Sequence, residues 1–233
     1  MGVAGASRAR QRAAIALAAL VSAALAPAPH ASADDRHAAH RMPAEPPARF
    51  EAPAPGSYQL PAIDRVAQHE LLGTRGAAEP LLALKPGELA LISFVYLQCG
   101  EACPLATAML HRLDGELAKD PKLARSVELV TVSFDPQRDT PAQMRALRER
   151  LAPKGRWRFL TAANEAALRP VLADFGQDAV WIPGEANTPD SLRHVLKVFV
   201  VDANGAVRQI YSTGFLDTRL VLADLRTLLP ATL

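Results

Sequence analysis

Leu91-Ile92-Ser93-Phe94-Val95-Tyr96-Leu97-Gln98-Cys99-Gly100-Glu101-Ala102-Cys103-Pro104 holds both cysteines of the 233-residue chain. Upstream of them, residues 89–96 are almost continuously apolar, the pattern of a strand buried on both faces. Downstream, Pro104 suits the first turn of a helix, where its missing N–H is no loss. Ala106, Met109, Leu110, Leu113 and Leu117 then recur at helical spacing. Two thiols between a buried strand and a helix start can close a disulfide, reduce one elsewhere, or bind a soft metal.

The elements around this stretch set the fold class. Asp120-Pro121 closes the first helical segment, and residues 126–134 form the next apolar strand. Thr140-Pro141 starts a helix, with Thr140 as cap and Met144, Leu147 and Leu151 as its buried stripe. Residues 157–160 read as a short strand. Asn164 caps a helix that runs to about Phe175 and stops at Gly176. Residues 181–190 read as a loop. Residues 194–201 and 206–212 read as strands joined by Asn204-Gly205, a strong hairpin signal. Leu216, Leu220, Leu225, Leu228 and Leu229 outline a closing helix. Before the first core strand, 58–60 and 70–72 read as short strands on the sheet edge. The order predicts an α/β fold: a thioredoxin-like sandwich, a central mixed sheet flanked by helices, with an N-terminal edge extension.

The first 57 residues have a different character. Arg8, Arg10 and Arg12 precede an apolar run over 13–26, and Ala31-Ser32-Ala33 forms a small-residue cleavage site. Residues 1–33 are expected to be a signal peptide, since the run is shorter than the ~20 residues needed to span a membrane. Residues 34–57, rich in Pro and Ala, suit a disordered linker, leaving 58–233 as the domain. Without the leader, Lys plus Arg falls from 26 to 23 against 24 acids, a net charge of −1. Nothing marks a basic nucleic-acid surface. His37 and His40 lie in the linker and read as solvated, and His69 and His111 as satisfied or surface residues.

Export sharpens the question of the thiols. An oxidising compartment favours a disulfide, so a working dithiol there needs a reductant or a metal. At the helix start, unpaired N–H groups and the positive dipole end favour a Cys103 thiolate. Residues i and i+4 on a helix have Cα atoms about 6 Å apart, near the upper side of disulfide range. So short a loop removes little unfolded-state entropy, which makes the pair a poor structural staple. Structural zinc wants four Cys or His ligands. Two thiolates with one imidazole suit copper, Cu(I) or Cu(II). The candidate imidazole is His194, beside a strand start where a thiol oxidoreductase usually carries a proline; Ser191-Leu192-Arg193-His194-Val195 has none.

These residues resemble the Sco/SenC family over about 58–230. The family's C-x-x-x-C-P appears as Cys99-Gly100-Glu101-Ala102-Cys103-Pro104, and its S-x-D-P-x-x-D-T as Ser133-Phe134-Asp135-Pro136-Gln137-Arg138-Asp139-Thr140. Its late histidine appears as His194, before Val201-Asp202-Ala203-Asn204-Gly205. The resemblance implies a periplasmic copper protein, membrane-tethered if the leader is uncleaved. It implies that copper is held by Cys99, Cys103 and His194, with Cys99 and Cys103 expected also to be a redox-active pair. It further implies a metallochaperone delivering copper to, or maturing, the binuclear copper site of cytochrome c oxidase, or serving another exported cuproprotein. The alternative is an exported thiol–disulfide oxidoreductase, served by a thiol reductant, that keeps a partner's ligand cysteines reduced. A peroxidase is a third reading, for which Arg193 is the only hint. The family's usual Asp before the histidine is Arg193 here, and its usual Pro-Asp between the cysteines is Gly100-Glu101.

Overall fold

The structure, a computed structural model, describes residues 51–98, 102–184, 191–193, 195–212 and 216–229. The expected signal peptide over 1–33 and the histidines at 37 and 40 lie outside these. The strands are β1 (Asp64–Arg65), β2 (Glu70–Leu72), β3 (Ala78–Pro80), β4 (Leu89–Val95), β5 (Val127–Ser133), β6 (Trp157–Leu160), β7 (Val180–Ile182), β8 (Ser191–Arg193), β9 (Lys197–Asp202) and β10 (Ala206–Ser212). The helices are α1 (Ala102–Leu117), α2 (Pro121–Ser126), α3 (Pro141–Leu151), α4 (Glu165–Asp174) and α5 (Thr218–Leu228).

The apolar run is β4, buried at every residue because it lies inside the main sheet, whose order is β1-β10-β9-β4-β5-β6. β4, β5 and β6 are parallel, joined by helical crossovers, while β9 and β10 add the antiparallel pair. Strand alternation divides the core in two. Ala90, Ile92 and Phe94 face one side, where Phe134, Phe175 and Phe199 surround the Phe94 ring and α4 packs. Leu89 and Leu91 face the other, covered by α1, α2, α3 and α5. This is the thioredoxin-like sandwich expected from the element order.

The N-terminal segment departs from a simple edge. β1 does extend the sheet edge at β10, but residues 58–60 form no strand. Arg208 donates to the Leu60 carbonyl instead. β2 and β3 make a separate antiparallel pair, and an isolated bridge joins Leu72 to Thr161, just beyond β6. The segment thus reaches from one edge of the sheet to the other and buries Val66, Leu71 and Leu81 on the phenylalanine side.

Other local differences have simple causes. Asp120-Pro121 ends α1 and also starts α2: the Asp120 side chain accepts from the Lys122 and Leu123 N–H groups, and Pro121 is pre-set for a first turn. α1 begins at Ala102, ahead of Pro104, whose missing N–H still falls among the unpaired donors of the first turn. Residues 180–182 pair antiparallel with 191–193, so the expected loop is bounded by a small ribbon. Asn204-Gly205 does turn the hairpin. Gly205 has φ +77°, and a Cβ there would stand 2.5 Å from the Val66 carbonyl oxygen, so both backbone shape and space select glycine.

Candidate metal centre

β4 lies between antiparallel β9 and parallel β5, and the chain leaving its end carries the cysteines. Cys99 lies outside the described residues. The Cys103 backbone occupies the first turn of α1, the position that favours a thiolate, while its side chain lies outside what is described. His194 is also outside, directly after β8 and just before Val195. Among the described residues no group of three or more His, Cys, Asp or Glu side chains is arranged to hold a metal.

The described neighbours of Cys99 and His194 meet at one end of the sheet. β9 runs antiparallel to β4 with Val198 opposite Ser93, so the residues entering β9 stand where β4 leaves. The Leu192 N–H, two positions before His194, reaches the hydroxyl of Tyr96, three positions before Cys99, at 3.5 Å. The Tyr96 ring meets Trp181 of β7 edge-on at 5.9 Å, and the Arg138 guanidinium lies over Trp181 at 4.5 Å. The β7–β8 ribbon is therefore tied to the exit of β4.

The Ser-x-Asp-Pro-x-x-Asp-Thr segment leaves β5 at the same end of the sheet. After β5 ends, the Asp139 carboxylate accepts the Ser133 hydroxyl at 2.6 Å and the Leu97 N–H at 3.1 Å, both on Oδ2. The Asp135 N–H donates to Ser133 Oγ at 2.9 Å, and the Asp139 N–H to the Asp135 carbonyl at 2.8 Å. Arg138 Nε stands 3.0 Å from Asp135 Oδ2 as an ion pair. Thr140 caps α3 through the Gln143 N–H. Burial pushes the Asp139 carboxyl above its ordinary range; Ser133 and Leu97 pull it back, Asp135 pushes it further up, and the balance stays high. A groove of about 320 Å³ opens alongside, lined in part by Leu97, Gln98, Asp139, Arg138 and Arg150. Two guanidiniums thus stand beside the chain that leads into Cys99.

The two described histidines of the first helix and the edge segment stay away from this end. His111 is exposed on α1. His69 is bound to Asp174 at 2.8 Å. The tie from Asp139 to Leu97 and the Arg138–Trp181 stack were not anticipated. The paired acids inside the Ser133 to Thr140 motif, just ahead of a helix start, were the available signal.

The SCO1/SenC family profile matches residues 64–230, from the β1 edge strand to beyond α5. The chain belongs to the SCO1/SenC family. Apo Sco1 from Thermus thermophilus is 26% identical, with TM-score 0.62 over 76% of this chain and 98% of that one. ScoI from Bradyrhizobium japonicum, with copper bound, is 20% identical, with TM-score 0.57 over 68% and 97%. BsSco, a member of the Sco family of cytochrome c oxidase assembly proteins in which a disulfide switch was identified, is 21% identical, with TM-score 0.58 over 73% and 98%. No curated protein matches. Among the described residues no helix is long and apolar enough to cross a membrane.

Proposed function

We propose that this SCO1/SenC chain is an exported copper metallochaperone in which the thiolates of Cys99 and Cys103 and the imidazole of His194 hold one copper ion. The ion is cargo, passed to the binuclear copper site of cytochrome c oxidase or to another exported cuproprotein in the periplasm. One observation supports this most: Leu192 meets Tyr96, which draws the segment before His194 to the segment before Cys99. Soft sulfur suits Cu(I), and the added imidazole also accepts Cu(II). Leu105 and Val195 are exposed apolar side chains within two residues of a proposed ligand, and they offer an incoming protein an apolar contact.

The second reading, a thiol–disulfide reductant for a partner's ligand cysteines, draws on the placement of Cys103 in a helix first turn. The two roles share a requirement for reduced thiols.

Anaerobic titration of the reduced chain tests the first reading. One copper per chain is expected. Losing a group that supports a ligand costs about 10–100-fold in affinity, so Cys99→Ser, Cys103→Ser and His194→Ala should each cost more than about 100-fold. Unchanged tight binding in His194→Ala would remove the three-ligand centre. A mixed disulfide trapped by Cys103→Ser or Cys99→Ser with an exported cysteine protein, in metal-free chain, would favour the reductant.

A further inference from the structure

The Phe134 N–H donates to the Val95 carbonyl at 2.8 Å, the last main-chain bond of β4 toward β5. Past it the chain leaves the sheet, and the Leu97 N–H is taken by Asp139. Five positions later, at Ala102, α1 begins. The described ends of the stretch that contains Cys99 are thus set by different contacts, Leu97 by Asp139 and Ala102 by the helix. Four residues separate them, so where the two ends stand bounds the span that the chain between them must cover.

The fastening is itself rigid. Asp139 is 1% exposed, and the same oxygen that accepts Leu97 also accepts Ser133, whose Oγ in turn accepts the Asp135 N–H. Burying a carboxylate costs free energy, and a main-chain N–H at a strand exit could be satisfied by water. A buried acid in that role holds position more firmly than water.

We propose that Asp139 is the positioning residue of the cysteine loop: by holding the Leu97 N–H it fixes Cys99 relative to Cys103 and so sets how readily the pair closes. The proposal rests on the reading of Cys99 and Cys103 as a working dithiol. In closure with glutathione disulfide as the probe, the two thiols lose two electrons and two protons and form one S–S bond. The glutathione disulfide bond breaks and takes both electrons and both protons, giving two glutathione thiols.

The test compares the full chain with D139L, D139N and D114N. D139L removes the acceptor and keeps a branched side chain of four heavy atoms. D139N keeps an amide oxygen for Leu97. D114N alters a second buried acid, whose ties hold only Lys154 and Gly155. Folding of each is checked by circular dichroism. In D139L the closure constant should change by about tenfold, which for a two-electron couple is about 30 mV. The Leu97 amide should also exchange faster with solvent. D139N should move the constant about threefold, since a neutral acceptor binds about half as strongly. It decides the matter alone if D139L does not fold. D114N should leave both readouts unchanged. Wild-type closure constants and Leu97 protection in folded D139L or D139N would overturn the proposal, as would an equal shift in D114N. A wild-type chain with no reversible Cys99–Cys103 couple would instead overturn the dithiol reading, and the proposal with it.

Discussion

Asp114 and Asp139 are both almost wholly buried, and each accepts two hydrogen bonds. Asp114, on α1, spreads its bonds over two oxygens and holds the Lys154 and Gly155 N–H groups at 2.6 and 2.9 Å. The fit is tight, since a Cβ on Gly155 would stand 3.0 Å from Asp114 Oδ1. That bond set fixes the connection between α3 and β6 against α1. Asp139 gathers its bonds on one oxygen, next to Asp135 and Arg138, and restrains the strand exit that leads to Cys99. The same chemical device holds a helix–strand connection in one place and the strand exit ahead of the proposed metal ligands in the other. Burial does not separate the two roles; what lies at the far end of the bond does.

Frame acids should therefore govern stability and leave the thiols alone. Asp114→Ala should lose about 3 kcal/mol in denaturant unfolding, because two buried main-chain donors lose a charged acceptor. Copper affinity of the folded protein should not change; a parallel loss would erase the distinction from Asp139. A smaller effect is expected at Asp224, which accepts the hydroxyls of Tyr58 and Tyr211, the latter at 2.5 Å. Burial holds the Tyr211 phenol well above its ordinary range, so it stays a donor at neutral pH. Asp224→Asn weakens these bonds and should cost about 1–2 kcal/mol, read by the same unfolding curves.

The smallest effect is expected at Asp174, which accepts the Ala67 N–H and His69, each at 2.8 Å. Burial pushes this carboxyl up, but the two bonds outweigh it and the net shift is downward. A depressed folded-state value means the contribution is present above the unfolded value, near 4, and fades as pH falls through the folded one. Asp174→Asn should lose about 1 kcal/mol at pH 7, and the difference from wild type should vanish in acid. A difference that persists at pH 2 would show that the loss is one of packing.

Much of the frame was legible because it rests on local patterns. β4 reads as an unbroken apolar run since both of its faces are covered. Thr140-Pro141 and Asn204-Gly205 mark their turns through backbone chemistry that few other residues supply. β1, β2 and β3 are two or three residues long, too short to show a period, and β7 finds its partner across a long connection. The cysteine spacing and the helix start were legible, and His194 was read as a candidate from its place at a strand start, a reading the family resemblance then strengthened. The grip of Asp139 on Leu97 was not, because it joins residues 42 positions apart and leaves no local pattern. The Ser133 to Thr140 motif was visible as letters, while its role depends on what the fold places against it.

X-ray absorption at the copper edge of the loaded chain addresses the metal centre most directly. Two sulfur neighbours and one imidazole nitrogen are expected, with the imidazole signal lost in His194→Ala. A first shell of nitrogen and oxygen alone would contradict a centre built on Cys99 and Cys103.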